Sequence, residues 1–174
     1  MSSRSLCWGM IWLFAAIAPA ATGAQAAGIA SPVAVLALVP MTVDQYSVAP
    51  TAAELAALTG QIRSGVASPA FDLMVLPQSR IPDLACAEIA CARRVGRQLG
   101  ARTVVFGTVV RFIGIRWNAQ VSAIEVSTGR VVDKLTYGVL GDHDALRNSV
   151  REVGVCLGRS ISGEKRCKPN VPAI

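Results

Sequence analysis

Two stretches fix the fold class before anything else about the chain is considered. Residues 33–41, VAVLALVPM, and Thr103–Phe112, TVVFGTVVRF, are apolar at odd and even positions alike. A strand with one wet face alternates between apolar and polar residues. One that is apolar on both parities is covered on both sides, as in a sheet enclosed by helices.

What lies between them supplies the helices. TAAE at residues 51–54 has capping-box spacing: the Thr51 hydroxyl and the Glu54 carboxylate can each satisfy a free N–H at a helix start. Leu55, Leu58, Ile62 and Val66 then recur at steps of three and four, and Ser68-Pro69 ends the run. FDLMVLP, residues 71–77, reads as a second short buried strand. Two strands flanking a helix form a βαβ unit, whose strands are parallel and adjacent or nearly so. A second helix follows, with Ile89, Ala92, Gly96 and Leu99 on its apolar face and Gly100 placed for a left-handed C-terminal cap.

Beyond Phe112 the pattern changes. Ile115, Trp117, Ala119 and Val121 alternate with Arg116, Asn118, Gln120 and Ser122, which predicts a strand with one wet face and Trp117 in the core. STGR at 127–130 is a tight turn, and Val131–Leu140 returns as another strand, so the last three strands form an antiparallel meander. A final helix opens around Asp142 or Asp144, carries Leu146, Val150, Val153 and Leu157, and breaks near Gly163. The expectation is one α/β domain, β-α-β-α-β-β-β-α, with three helices on a mixed sheet.

The ends are of a different kind. Leu6 to Ala18 is an uncharged apolar run behind Arg4; Pro19 interrupts it, and Ala24-Gln25-Ala26 has the small-x-small form that a signal peptidase accepts. Residues 1–26 are therefore expected to be a cleaved signal peptide, 27–32 a linker, 33–162 the domain and 163–174 a polar tail. A spanning helix needs ~20 strongly apolar residues, and no other long apolar run exists to cross a membrane. Cys7 lies at the start of the apolar run and not after it, so it is not placed to carry a lipid anchor. The expected location is the periplasm. The formal net charge is +6, and Arg4 accounts for one of those charges. That excess permits peripheral contact with anionic lipid without specifying it, and export removes most nucleic-acid partners.

Outside the first segment stand Cys86, Cys91, Cys156 and Cys167. An even number in an exported chain favours disulfides, with three connectivities open, and proximity favours Cys86–Cys91 and Cys156–Cys167. Residues five apart in a regular helix point apart, so a Cys86–Cys91 bridge needs Cys86 in the loop after Pro82 and Asp83 and Cys91 in the first helical turns. The rival use is a redox dithiol, which ordinarily has two intervening residues. A four-cysteine zinc site is off its usual spacing.

Other chemistry is thin, and neither a catalytic residue, a metal site nor a cofactor is expected. His143 is the only histidine, beside Asp142 and Asp144 at a helix start, where capping accounts for the acids. The S-x-x-K string from Ser162 to Lys165 lacks its companion motifs. The glycines around Ser160 miss the nucleophile-elbow spacing. Gly107 and Gly114 have no following lysine in phosphate-loop register. Arg93, Arg94, Arg97 and Arg102 offer a basic interaction surface.

One resemblance is specific enough to state. The cysteine pair ahead of an arginine-bearing helix, VGRQLGA at 95–101, VVFGTV at 104–109 and IEVSTGRVV at 124–132 together resemble periplasmic α/β domains related to the N-terminal domain of TolB and to the curli secretion lipoprotein. Glu125 and Ser127 depart from the commonest form of the hairpin. The resemblance implies that fold and a non-enzymatic role in envelope assembly or protein–protein contact, and it carries over no catalytic residue. Docking would use a sheet edge, the face bearing Arg93, Arg94 and Arg97, or the loop before Cys86. The alternatives are thiol–disulfide exchange at Cys86 and Cys91, and carriage of a small ligand between helix and sheet.

Overall fold

The computed structural model describes residues 31–81, 84–113, 116–140, 143–165 and 167–168. The signal segment, Pro82, Asp83, Gly114, Ile115, Asp142 and the side chains of His143 and Asp144 lie outside the described residues. Along the chain run β1 (Ser31–Val35), β2 (Val39–Pro40), β3 (Ser47–Val48), α1 (Ala52–Val66), β4 (Leu73–Val75), a 3₁₀ turn at Gln78–Arg80, α2 (Ile89–Leu99), β5 (Thr103–Phe112), β6 (Arg116–Glu125), β7 (Val131–Leu140) and α3 (His143–Ile161).

The sheet order is β4-β1-β5-β6-β7. β1 pairs in parallel with β4 and β5, while β5, β6 and β7 form the antiparallel meander. From β1 the chain crosses one way to β4, then back past β1 to β5. Crossovers of one hand that run in opposite directions place their helices on opposite faces. Accordingly α1 and α3 cover one face, over Val33, Val35, Val105, Val109, Trp117, Val121 and Val139. α2 covers the other, over Ala34, Val104, Phe106, Ile124 and Val126. α2 has only 11 residues, so beyond it Gln120, Lys134 and Thr136 face solvent.

Three expectations are corrected. The apolar run 33–41 is two strands, not one. Val35 pairs with Val105 and Val39 with Thr108, so four residues advance against three. In that bulge Ala37 bridges to Ala85, and the Leu38 N–H donates to Thr59 Oγ1 at 3.3 Å. The second strand is a three-residue edge strand with Met74 exposed, not a buried one, because only β1 flanks it. On α2 the buried residues are Ala92, Val95 and Gly96, while Ile89 is exposed. Leu99 packs partly buried beside them, so the stripe is Ala92, Val95, Gly96 and Leu99, and Gly96 comes close enough to the Val104 and Val126 side chains that an added Cβ would collide with them.

Local signals elsewhere hold. Both halves of the Thr51–Glu54 capping box are present. Gly100 caps α2 at φ 66°, a left-handed conformation that glycine adopts without steric cost. Trp117 is in the core.

Tyr137 on β7 is buried, and among the described residues its hydroxyl has no hydrogen-bond partner. An unsatisfied buried hydroxyl costs on the order of 1–3 kcal/mol, so Tyr137→Phe is expected to stabilise the protein by about 1 kcal/mol. Burial also pushes the Tyr137 pKa well above its ordinary value of 10.0. Above pH 10 the native ring keeps a proton that the unfolded chain releases, so this residue makes stability fall with rising pH there. The phenylalanine variant lacks that contribution. Urea unfolding at neutral pH and above pH 10 tests both statements. A variant clearly weaker at neutral pH would mean the hydroxyl is satisfied.

Candidate interaction surface

Among the described residues the three most exposed large apolar side chains, Val43, Tyr46 and Ile113, lie where β3 meets the end of β5, with Met41 and Val48 close by in the chain. Met41, Val43, Tyr46, Val48 and Ile113 are 40%, 56%, 59%, 44% and 66% exposed. The turn that carries them is built by two short polar residues. Ser47 Oγ accepts from the Val43 and Asp44 N–H groups at 2.9 and 3.2 Å and donates to the Asp44 carbonyl at 2.7 Å. Asp44 Oδ1 accepts from the Tyr46 N–H at 2.9 Å. These bonds use up the local polar groups and leave the apolar side chains outward.

The sheet holds the turn in place. Ser47 and Val48 pair antiparallel with Phe112 and Arg111, and the Ile113 N–H donates to the Tyr46 carbonyl at 2.8 Å. Arginines flank the cluster. Arg111 lies 5.2 Å from the Trp117 ring centroid and pairs with Glu54 at 2.9 Å, while Arg116 lies 5.3 Å from the Phe112 centroid. Tyrosine, methionine and arginine are enriched at protein–protein interfaces, and tyrosine and arginine among the residues that carry most of the binding energy.

The arginines singled out from sequence have separate fates. Arg93 donates from Nε to the Val126 carbonyl at 3.2 Å and from Nη2 to the Ser127 carbonyl at 2.8 Å, tying α2 to the β6–β7 turn. Arg102 donates to Ser31 Oγ at 3.1 Å and lines a hollow of about 630 Å³ with Arg130, Asp72, Glu125 and Glu164. Arg94 and Arg97 are exposed on α2.

The cysteines close two bridges. Cys86, in the loop before α2, joins Cys91 in its first turns with Cα atoms 5.6 Å apart; Cys156 on α3 joins Cys167 at 5.3 Å. Cys86 is 1% exposed and packs with Leu36, Leu76 and Ile81. The Ser162 hydroxyl donates to the Arg159 carbonyl at 2.9 Å just past α3, which is a helix-end bond.

The exposed cluster has no counterpart among the surfaces expected from sequence. The available signal was the company of Met41, Val43, Tyr46 and Val48 with turn-forming residues that give them no core to enter.

No protein-family model matches the chain, and no curated protein matches it. Solved structures do. The C-terminal domain of LpoB from Salmonella enterica matches with a TM-score of 0.50 and 17% identity, over 67% of this chain and 89% of that one. A PelC dodecamer from Paraburkholderia phytofirmans matches with a TM-score of 0.49 and 18% identity, over 79% of this chain and 90% of that one. TolB from Acinetobacter baumannii matches with a TM-score of 0.45 and 12% identity, over 76% of this chain and 27% of TolB. At such identities the likeness is one of fold, and the LpoB domain carries it.

Proposed function

We propose that the protein is a non-enzymatic accessory protein of the bacterial cell envelope that docks on a protein partner through the turn at Val43–Val48 and the end of β5. The observation that supports this most directly is the cluster of Val43, Tyr46, Val48 and Ile113, exposed yet held by backbone pairing. Monomeric surfaces scatter single apolar residues; a contiguous group rimmed by charge marks a contact site. The signal-like first segment and the two disulfides support export to an oxidising compartment. No described helix is long and apolar enough to cross a membrane.

Site-directed photocrosslinking tests the reading. A photoreactive residue at Tyr46 or Ile113 should give one discrete adduct in intact cells, and the same residue at Arg94 should not. Val43→Asp should remove the Tyr46 adduct while leaving thermal stability within about 0.5 kcal/mol, as for most surface changes. Adducts of equal yield from all positions, an adduct of two copies of this chain, or none would each overturn docking of a partner at this surface.

A further inference from the structure

A second surface, independent of the first, lies along α1. A cavity of about 560 Å³ opens between this helix and the segments that follow the carboxyl ends of β1 and β4. In open α/β sheets small molecules bind at strand carboxyl ends where crossovers diverge, and the volume falls within the ~300–1,000 Å³ of small-molecule sites. The helical wall is the stripe Ala52, Leu55, Ala56, Thr59, Gly60 and Arg63, spaced three and four apart over about 16 Å of helix. Ala56 and Gly60 are too short to fill the space that the opposite face of α1, with Leu58 and Ile62, leaves behind.

The polar content of the groove is small and one-sided. Among the described residues Arg63 is its single charged lining residue. Its Nη2 donates to the Val35 carbonyl at 2.8 Å, and among the described residues its buried Nε has no acceptor and no carboxylate pairs with it. Burial lowers the Arg63 pKa from its ordinary value, because the charge is poorly compensated where it sits. A carboxylate at this end would supply both the missing charge and strong acceptors. A peptide would bring an amide N–H and C=O at every residue. The groove offers little to satisfy them, since Thr59 Oγ1 already accepts from the Leu38 N–H.

We infer that this groove binds a single-chain amphiphile of the fatty-acid class, its tail along α1 and its carboxylate on Arg63. Calorimetric titration of the delipidated protein with dodecanoate, below its micellar concentration, should give saturable one-to-one binding. Dodecanol should bind at least tenfold more weakly, the cost of losing one charged contact. Arg63→Met should reduce dodecanoate to the level of dodecanol, and Arg63→Lys should retain part of the difference. If the methionine variant fails to fold, the lysine variant carries that arm. Ala56→Trp, which fills the groove from an exposed helix position, should abolish both without changing the circular-dichroism spectrum. Absence of saturable dodecanoate binding overturns the inference, as does Ala56→Trp binding like the parent. Equal affinity for acid and alcohol removes the role of Arg63. Displacement of dodecanoate by an apolar tripeptide at lower concentration reassigns the groove to peptide. None of these outcomes bears on the crosslinks at Tyr46.

Discussion

Replacing Gly154 by leucine should lower stability by at least about 4 kcal/mol, beyond the common range for an overpacked core position. α1 and α3 meet backbone to backbone. A Cβ on Gly154 would run into the Ile62 carbonyl oxygen and lie 3.0 Å from the Gly65 Cα. A Cβ on Gly65 would collide with the Arg151 carbonyl oxygen and lie 2.7 Å from the Val155 N. Backbone atoms cannot rotate aside as a side chain can, so the helices must separate. Separation opens the layer where Leu58, Ile62 and Val66 share a core with Val150, Val153 and Leu157. Gly60 on the same helix has nothing within 4 Å of an added Cβ, and Gly60→Ala should instead stabilise by about 0.5–1 kcal/mol from helix propensity and unfolded-state entropy. Urea midpoints of the two variants should move in opposite directions. If Gly154→Leu shifts the midpoint no more than Gly60→Ala does, the close crossing is wrong.

That pair of glycines also shows where sequence reading stops. The α1 stripe at Leu58, Ile62 and Val66 and the α3 stripe at Leu146, Val150, Val153 and Leu157 follow from periodicity, and both are buried. That the two helices touch through Gly65 and Gly154 is a long-range fact with no local signature. The same division runs through the sheet. β5, β7, the Thr51 cap and the Gly100 turn depend on neighbours within a few residues and were legible. The break in 33–41 depends on Ala85 and Thr59, distant in sequence, and was not.

The candidate surface was legible in the same uneven way. Four arginines close in sequence suggested one basic face. The carbonyls of Val126 and Ser127, more than thirty residues away, take up Arg93, and Ser31 takes up part of Arg102. Conversely, Tyr46 and Ile113 are far apart in the chain, and only antiparallel pairing of β3 with β5 puts them on one surface. The sheet's long free edge, β7, is blunted at its start. A bulge interrupts its pairing between Ala123 and Ile124, and buried Asp133 accepts from the Lys134 N–H at 2.9 Å and the Ser160 hydroxyl at 2.5 Å. An inward-pointing acid and a bulge are devices that discourage edge-to-edge pairing, which favours the proposed docking at the turn by the end of β5 over docking at this edge.

Loss of both disulfides should bring the protein close to unfolding. The chain-entropy model assigns on the order of 2–3 kcal/mol to each short bridge, together a large part of the ~5–15 kcal/mol that holds a typical domain. Cys86→Ala with Cys91→Ala frees the loop ahead of α2 from a helix end that has no side-chain cap. Cys156→Ala with Cys167→Ala frees the segment after Gly163 from buried Cys156. Each pair should lower the urea midpoint separately, and the losses should add, because the bridges lie on different elements. A thiol exchanger would behave otherwise. It needs a sulfur that a client can reach; Cys86 is 1% exposed in a layer with Leu36, Leu76 and Ile81, which leaves only the half-buried Cys91 for attack. Protein without residues 1–26, purified without reductant, should therefore show no alkylatable thiol when unfolded. Cys86→Ala alone, which leaves Cys91 able to trap a client, should give no mixed-disulfide adduct in cells. A trapped client together with an undiminished midpoint in the Cys86–Cys91 variant would show that the bridge is chemistry and not architecture.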